Sequence, residues 1–464
     1  MEKTDKNGIT ARLVDYSLSS QYEHLPGNVI TEAKKGFLDL LGVALAGSAD
    51  PSTRTLTEVS GAGSVVGVAT VLGTGIKTLP AIAALSNGYA AHALDYDDTQ
   101  HRCRTHMSAP VLAAALPVAE VRRANGREVL NAYVTGFEIG CRLGRVAGFG
   151  DHLSHSGVHP IGVLGHFGAA AAAGRLLNLK PLQMNYCFAI AASQAAGLMR
   201  SLGTMSKPLQ VGKAAQSAVF SAELANQDFS AAKDIFEGDY NFFSTHGATT
   251  SAEELTRGLG ETFEILDNTI KVFACAGWRN SIVEAMILLS HNQALQPRDV
   301  KEVRISVWEA ALKLPNYDQP KTGLESKFSS QHAAAVGLVD HAGGIEQFSD
   351  LRATDPDLAG LRRRVTVEGD GRLGAYEIRV SVATIDGREF SHFVPFQKGD
   401  PRNPVTWAEL AEKFRANALL ALPERQVSSL VEVVEKLEEL RDVAQLTRLC
   451  FQNAMGRESS ETPR

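Results

Sequence analysis

A helix made almost entirely of small side chains runs into three aspartates in the stretch Asn87–His106, NGYAAHALDYDDTQHRCRTH. Leu85, Gly88, Ala91 and Leu94 recur at helical spacing, so the sequence predicts a packed helix over Ala81–Leu94. Asp95, Asp97 and Asp98 then fall at its C-terminal end. That pole is already negative from its exposed carbonyls, so carboxylates held there need a purpose: acid–base work, hydrogen bonding or a cation. The alternative is a polar loop whose aspartates satisfy backbone groups in Asx turns.

The surrounding chain supports a large helical body. Ile30–Ser48 carries apolar residues at three- and four-residue spacing, with Gly47 as its expected stop. His166–Leu179 opens on small residues that let neighbouring helices approach closely, which places it inside a bundle. Near residue 300 the period changes from helical to alternating. Val303, Ile305 and Val307 read as a strand, and Val365 and Val367 as another. Ile378, Val380 and Val382 lead through Asp386-Gly387 into Arg388–Val394 as a hairpin. Lys327–Val339 between them reads as a helix. Thr406 and Glu409 then form a capping box before a long amphipathic stretch through Leu440. The expected fold class is mainly α with an inserted α+β domain. Residues 1–265 and 400–456 would form the helical domain, 266–399 an α+β lid, and 457–464 a disordered tail.

With 464 residues, 44% of them hydrophobic, the chain can bury a substantial core. A net charge of −6 argues against nucleic acid or an anionic membrane as partner, since both call for basic patches. No apolar run is long enough to span a bilayer, and the N-terminal residues carry no secretory pattern. Five scattered cysteines without CxxC pairing fit a cytoplasmic location and argue against a disulfide framework or a thiolate metal site.

Three further segments concentrate functional groups. Asp151–His166 holds four histidines, of which His159 sits in a Gly/Pro-bounded loop ahead of the small-residue helix. The crowding invites a metal, yet there is no HExxH pattern and no carboxylate in register, so none is expected. A histidine that only hydrogen-bonds its loop is the plain alternative. In Gly203–Gly212, Lys207 precedes Pro208 and is directed by that neighbour's steric demand. It suits an anionic substrate or proton transfer; a solvated lysine is the alternative. In Thr269–Asn280, Lys271, Arg279 and Asn280 flank apolar residues at the expected domain boundary, where small ligands commonly bind. Lys207, Lys271, Arg279, His106 and His159 together would suit a substrate bearing two or three carboxylates, with Asp95 orienting a histidine or exchanging a proton. No GxSxG elbow is present, and nothing suggests a nucleotide, flavin or pyridoxal group.

At these segments the chain resembles the MmgE/PrpD family. The likeness runs through NGYAAHALDYDDT (87–99), SGVHPIGVLGHFGAAAAAGRLLNL (156–179), GTMSKPL (203–209), FEGDYNFF (236–243), LESKFSSQHAAAVGLV (324–339) and QKGDPRNPVTWAELAEKFR (397–415). It implies a helical domain with an α+β lid, a homodimer, no metal or organic cofactor, and a small carboxylic acid as substrate. Carried over, the active site would comprise Asp95, Thr99, His106, His159, Lys207 and Lys271. Asp95, His106, His159 and Lys207 would be catalytic. Thr99, Arg104, Lys271, Arg279, Asn280 and His332 would contact substrate. Met107 stands where relatives commonly carry proline, Asn280 where they often carry histidine, and His332 where they usually carry an aromatic residue. The implied activity is dehydration or decarboxylation of an acid such as 2-methylcitrate or cis-aconitate by histidine acid–base chemistry. The alternatives are an epimerase or isomerase of a small dicarboxylate, with His332 as a second base, and a binding protein without turnover.

Overall fold

The computed structural model describes residues 8–249 and 252–451, so the expected tail at 457–464 lies outside the described residues. The chain is mainly helical, with one four-stranded sheet in its C-terminal part. The aspartate-bearing helix spans Pro80–Ala93, opened by a proline whose missing N–H costs nothing at a first helical position. It packs most extensively on Ser206–Asn226, which in turn lies against Pro160–Leu176. Small residues make that closeness possible. A Cβ on Gly212 would stand 2.6 Å from the Leu85 carbonyl oxygen, so the two backbones nearly touch.

The helix expected from Ile30 begins at Gly27, directly after Pro26, and ends at Ser48. Gly47 does not stop it. Gly47 sits in the last turn, where a Cβ would lie 2.0 Å from the Ala90 carbonyl oxygen, so it is there for close packing on the aspartate helix. The Thr406–Glu409 capping box opens a helix at Trp407–Ala418. That helix does not run on to Leu440: Pro423 supplies no N–H to continue it, and a second helix covers Glu424–Glu435.

The sheet is ordered Val365–Gly369, Val300–Val307, Ile378–Thr384, Glu389–Val394. The first pair is parallel and the other two antiparallel. A parallel pair needs a long crossover, and the helix Ser330–Val339 lies within it. That helix starts three residues later than Lys327 because the Ser329 hydroxyl accepts the His332 N–H and caps it.

Two large hydrophobic cores result, beside a small cluster of Ala62, Ala69, Val71 and Ala83. The larger joins the N-terminal helices to the C-terminal ones, with Phe37 and Leu41 beside Phe414, Leu430 and Val434. The smaller gathers Val303, Ile305 and Val380 under Ile282, Met286 and Val336, and also takes in Val43, Leu94 and Tyr96. Packing against the sheet thus extends beneath the aspartate loop, which is held between the two bodies.

Candidate active site

Asp95 follows the helix end with φ of +51°, the left-handed region that aspartate tolerates better than most residues. The reversal separates the carboxylates. Asp95 turns to two ammonium groups: Lys207 Nζ donates to Oδ2, and Lys271 Nζ donates to Oδ1 at 2.6 Å and to the Asp95 carbonyl at 2.9 Å. Lys207 comes from the first turn of Ser206–Asn226. Lys271 comes from the chain after Asn268–Thr269, which pairs antiparallel with Thr99–Gln100. Lys413, on the helix Trp407–Ala418, donates to the carbonyls of Tyr96 and Lys271 and pins both loops together. All three members of the Asp95 cluster are buried. Burial alone would raise the Asp95 pKa, but the two lysines hold it well below the ordinary carboxylate range.

Asp97 faces the imidazoles. Its Oδ2 lies 2.8 Å from Nδ1 of His92 and 3.5 Å from Nδ1 of His106. The expectation that Asp95 orients a histidine is therefore corrected: its carboxylate is taken up by the lysines, and Asp97 meets the rings. His106 Nδ1 also lies 2.7 Å from the Asp98 carbonyl oxygen. A carbonyl only accepts, so Nδ1 carries the proton and Nε2 is left with a lone pair. His159, the residue before Pro160, places Nδ1 at 2.8 Å from Gln210 Oε1. Its Nε2 is likewise an acceptor. Burial lowers the pKa of both rings, His106 far below the usual value and His159 to about 3, the nearby Lys207 adding to the effect.

A cavity of about 150 Å³ opens over this cluster, lined by Asp95, Thr99, His106, His159 and Lys207 from the helical side. Trp278, Arg279, Leu314, Phe328 and Tyr376 close it from the other side. Arg279 is buried; Nη2 donates to the Pro315 carbonyl at 2.5 Å, and Nε has no protein partner. Its guanidinium lies 4.6 Å from the Trp278 ring centroid. Burial lowers its pKa to about 10, so it stays cationic at neutral pH. A larger groove of about 1180 Å³ beside Ile9–Ser19 contains none of these groups.

Thr99, Arg104 and Arg279 reach the cavity wall, and Arg104 is paired with Asp151. Lys271, Asn280 and His332 do not. Lys271 is sealed behind Asp95, which it holds in place, and its charge also reaches Asp97 and His106. Asn280 accepts from the Phe273 N–H and donates to the carbonyls of Cys275 and Gly277, so it shapes the loop that presents Trp278. His332 is buried in the sheet-bearing part, its Nε2 at 2.8 Å from the Gln347 carbonyl and Nδ1 at 3.1 Å from Arg362. The second base of the epimerase alternative is thus remote from the site. His92, Gln210 and Tyr376 are not singled out by the sequence, and Asp97 is named there only as one of three aspartates; a lone histidine in a helix of alanines is the signal that could have found His92.

Nδ1 of His92 and of His106 and a carboxylate oxygen of Asp97 lie within 4.8 Å of one another, a spacing that could hold a metal ion. Both nitrogens are instead explained as protonated donors, to Asp97 and to the Asp98 carbonyl. Lys271 Nζ stands 4.0 Å from Asp97 Oδ1, so a further cation there would meet an ammonium. The donor set fits hydrogen bonding better than coordination.

Helical bundle and sheet-bearing segment meet over a cavity lined by ionisable side chains, as in a two-part enzyme. The MmgE/PrpD N-terminal domain model matches residues 11–254 and the MmgE/PrpD C-terminal domain model residues 273–439. The chain belongs to the MmgE/PrpD family. It is 30% identical over 446 residues to the cis-aconitate decarboxylase of Mus musculus, covering 92% of this chain and 90% of that protein. It is 27% identical over 474 residues to that of Aspergillus terreus (strain NIH 2624 / FGSC A1156), covering 96% of each. The Homo sapiens cis-aconitate decarboxylase is 28% identical over 448 residues, 92% of this chain and 91% of that protein.

Proposed function

We propose that the protein is a lyase that decarboxylates a small unsaturated polycarboxylic acid of the cis-aconitate type, using histidine acid–base chemistry. The observation that carries this reading is the convergence of two neutral imidazoles on one cavity beside Lys207. Residues 266–399 act as the lid in this reading, contributing Arg279 and the apolar wall.

Loss of CO2 breaks a carbon–carbon bond and leaves its electron pair on the organic fragment, where it must be delocalised and then protonated. Arg279 and Lys207 supply positive charge for the substrate carboxylates and for the charge that develops as the bond breaks. The imidazoles resist protonation because they are buried near ammonium groups. A bound carboxylate brings the negative charge the site lacks and raises their proton affinity, so one of them can carry the proton delivered to carbon. Trp278, Leu314 and Phe328 give one side of the cavity an apolar wall that limits the water beside the reacting atoms.

The test is release of CO2 from cis-aconitate by purified enzyme, with His106→Asn and His159→Asn beside wild type. Each variant should lose roughly 10²- to 10⁴-fold in kcat while keeping its circular-dichroism spectrum. Full turnover by either variant, or binding of cis-aconitate with no release of CO2 by wild type, would overturn the reading.

A further inference from the structure

Gln210 lies three residues beyond Lys207 on the same helix, and its amide is fixed at both ends. Oε1 accepts the Leu198 N–H at 3.1 Å, and Nε2 donates to the Leu198 carbonyl at 3.2 Å. Turning the amide over would set donor against donor and acceptor against acceptor, so the backbone of one residue decides which end is oxygen. The same Oε1 stands 2.8 Å from His159 Nδ1. Because it can only accept, the proton is on Nδ1.

Two glycines make room for this contact. A Cβ on Gly197 would meet Oε1 at 2.6 Å, and one on Gly162 at 3.2 Å. The Gly197 carbonyl also accepts the His159 backbone N–H at 3.1 Å, while Val158 and Leu198 form an isolated bridge. Backbone and ring of His159 are thus referred to the same short segment, 197–198. We propose that Gln210 is the positioning residue that holds His159 in its Nδ1–H form and turns a free Nε2 lone pair to the cavity. This rests on reading His159 as a proton carrier.

The experiment uses full-length enzyme labelled with ¹⁵N-histidine, the His159 signals assigned by their loss in His159→Asn. Long-range ¹H–¹⁵N spectra of wild type should show His159 protonated on Nδ1. In Gln210→Leu that preference should disappear, and kcat with cis-aconitate should fall roughly 10²-fold with little change in KM, as expected for a misaligned reacting group. Gln210→Glu keeps an acceptor and adds a negative charge. The groups facing His159 are otherwise Lys207, His92 and Asp95. The limb of kcat/KM at which the proton donor is lost should therefore move up by about one pH unit or more. A residue that only fills space would move neither the tautomer nor the limb. An Nε2–H tautomer in wild type, or a folded Gln210→Leu enzyme with unchanged tautomer and kcat, overturns the proposal. Should Gln210→Leu fail to fold, an unmoved limb in Gln210→Glu overturns it. Full turnover by His159→Asn would instead overturn the proton-carrier reading and leave the tautomer assignment standing.

Discussion

The pH dependence of kcat/KM separates a proton donor shaped by this site from an ordinary histidine. An imidazole with the usual pKa of about 6.5 is about 97% protonated at pH 5 and about 9% at pH 7.5, so a reaction drawing on its proton would slow roughly 10-fold between them. His159 is held at about 3, first by burial and then by Lys207 and His92, so in the free enzyme it is already mostly neutral at pH 5. Because kcat/KM reports the free enzyme, its limb should begin below pH 5, with the rate falling about tenfold per pH unit above it. The limb of kcat reports the complex and should lie higher, since bound carboxylate favours the protonated ring. Rates from pH 4.5 to 8, with the substrate's own ionisation titrated separately, give both. Stability must be followed in parallel. A histidine depressed in the fold binds protons only when unfolded, so its contribution is complete above about 6.5 and is lost as pH falls toward 3. That amounts to about 2 kcal/mol per such ring at pH 5. Asp98 and Glu138, each pushed up to about 7 by burial, act with the opposite sign and gain as pH falls through that range. Circular dichroism at each pH identifies the window in which the enzyme remains folded. A kcat/KM limb between pH 6 and 7 in folded enzyme would refute the assignment of His159 as a buried proton carrier that is neutral in the free enzyme.

Three other outcomes follow from the packing. Lys271→Met leaves the buried Asp95 carboxylate with one counterion instead of two and should destabilise by about 3 kcal/mol, with part restored in Asp95→Asn/Lys271→Met; urea denaturation of the variants measures both. Arg279→Met removes a charge-assisted contact worth about 1.5–3 kcal/mol, so KM for cis-aconitate should rise roughly 10- to 100-fold with the fold intact; an unchanged KM would remove Arg279 from the substrate site. Gly212→Ala drives a Cβ to 2.6 Å from the Leu85 carbonyl and should cost about 1–3 kcal/mol in the same denaturation assay.

What sequence conveys about this molecule follows the range of the forces involved. The helix after Pro80, the alternating strands at 303–307 and 378–382, and the Thr406 capping box are local, set by period and by neighbours a few residues away. The partners of a charged side chain are not local. Asp95 and Asp97 look equivalent in DYDD, and only the left-handed turn at Asp95 sends one to the lysines and the other to the rings. Asn280 and Arg279 are adjacent in the chain, yet one faces its own loop and the other the cavity. His332 stands out because relatives usually carry an aromatic residue there, but its helix packs into the smaller core, and its ring is satisfied there by Gln347 and Arg362.

The Asp95 cluster is hard to explain as a stabilising device, because burying three charges costs several kcal/mol per ion before their attraction offsets it. Its value lies in what it leaves incomplete. Lys271 has no exposed surface and stays committed to Asp95, which keeps that carboxylate ionised and in place. Lys207 shares the same carboxylate but also lines the cavity, so one flank of its ammonium faces the space a ligand would fill. Burial lowers its pKa while Asp95 opposes the shift, leaving an ammonium whose interactions are unfinished on the cavity side. A carboxylate entering there completes them without any rearrangement of the protein. Most of the cost of gathering the charges has then been met during folding, which is the condition under which a preorganised cation contributes most to the transition state. With Lys271 removed, Lys207 would be drawn wholly to Asp95. The Lys271→Met enzyme should therefore lose substrate affinity through a residue that never touches the substrate, a KM effect that a lysine acting only on stability would not produce.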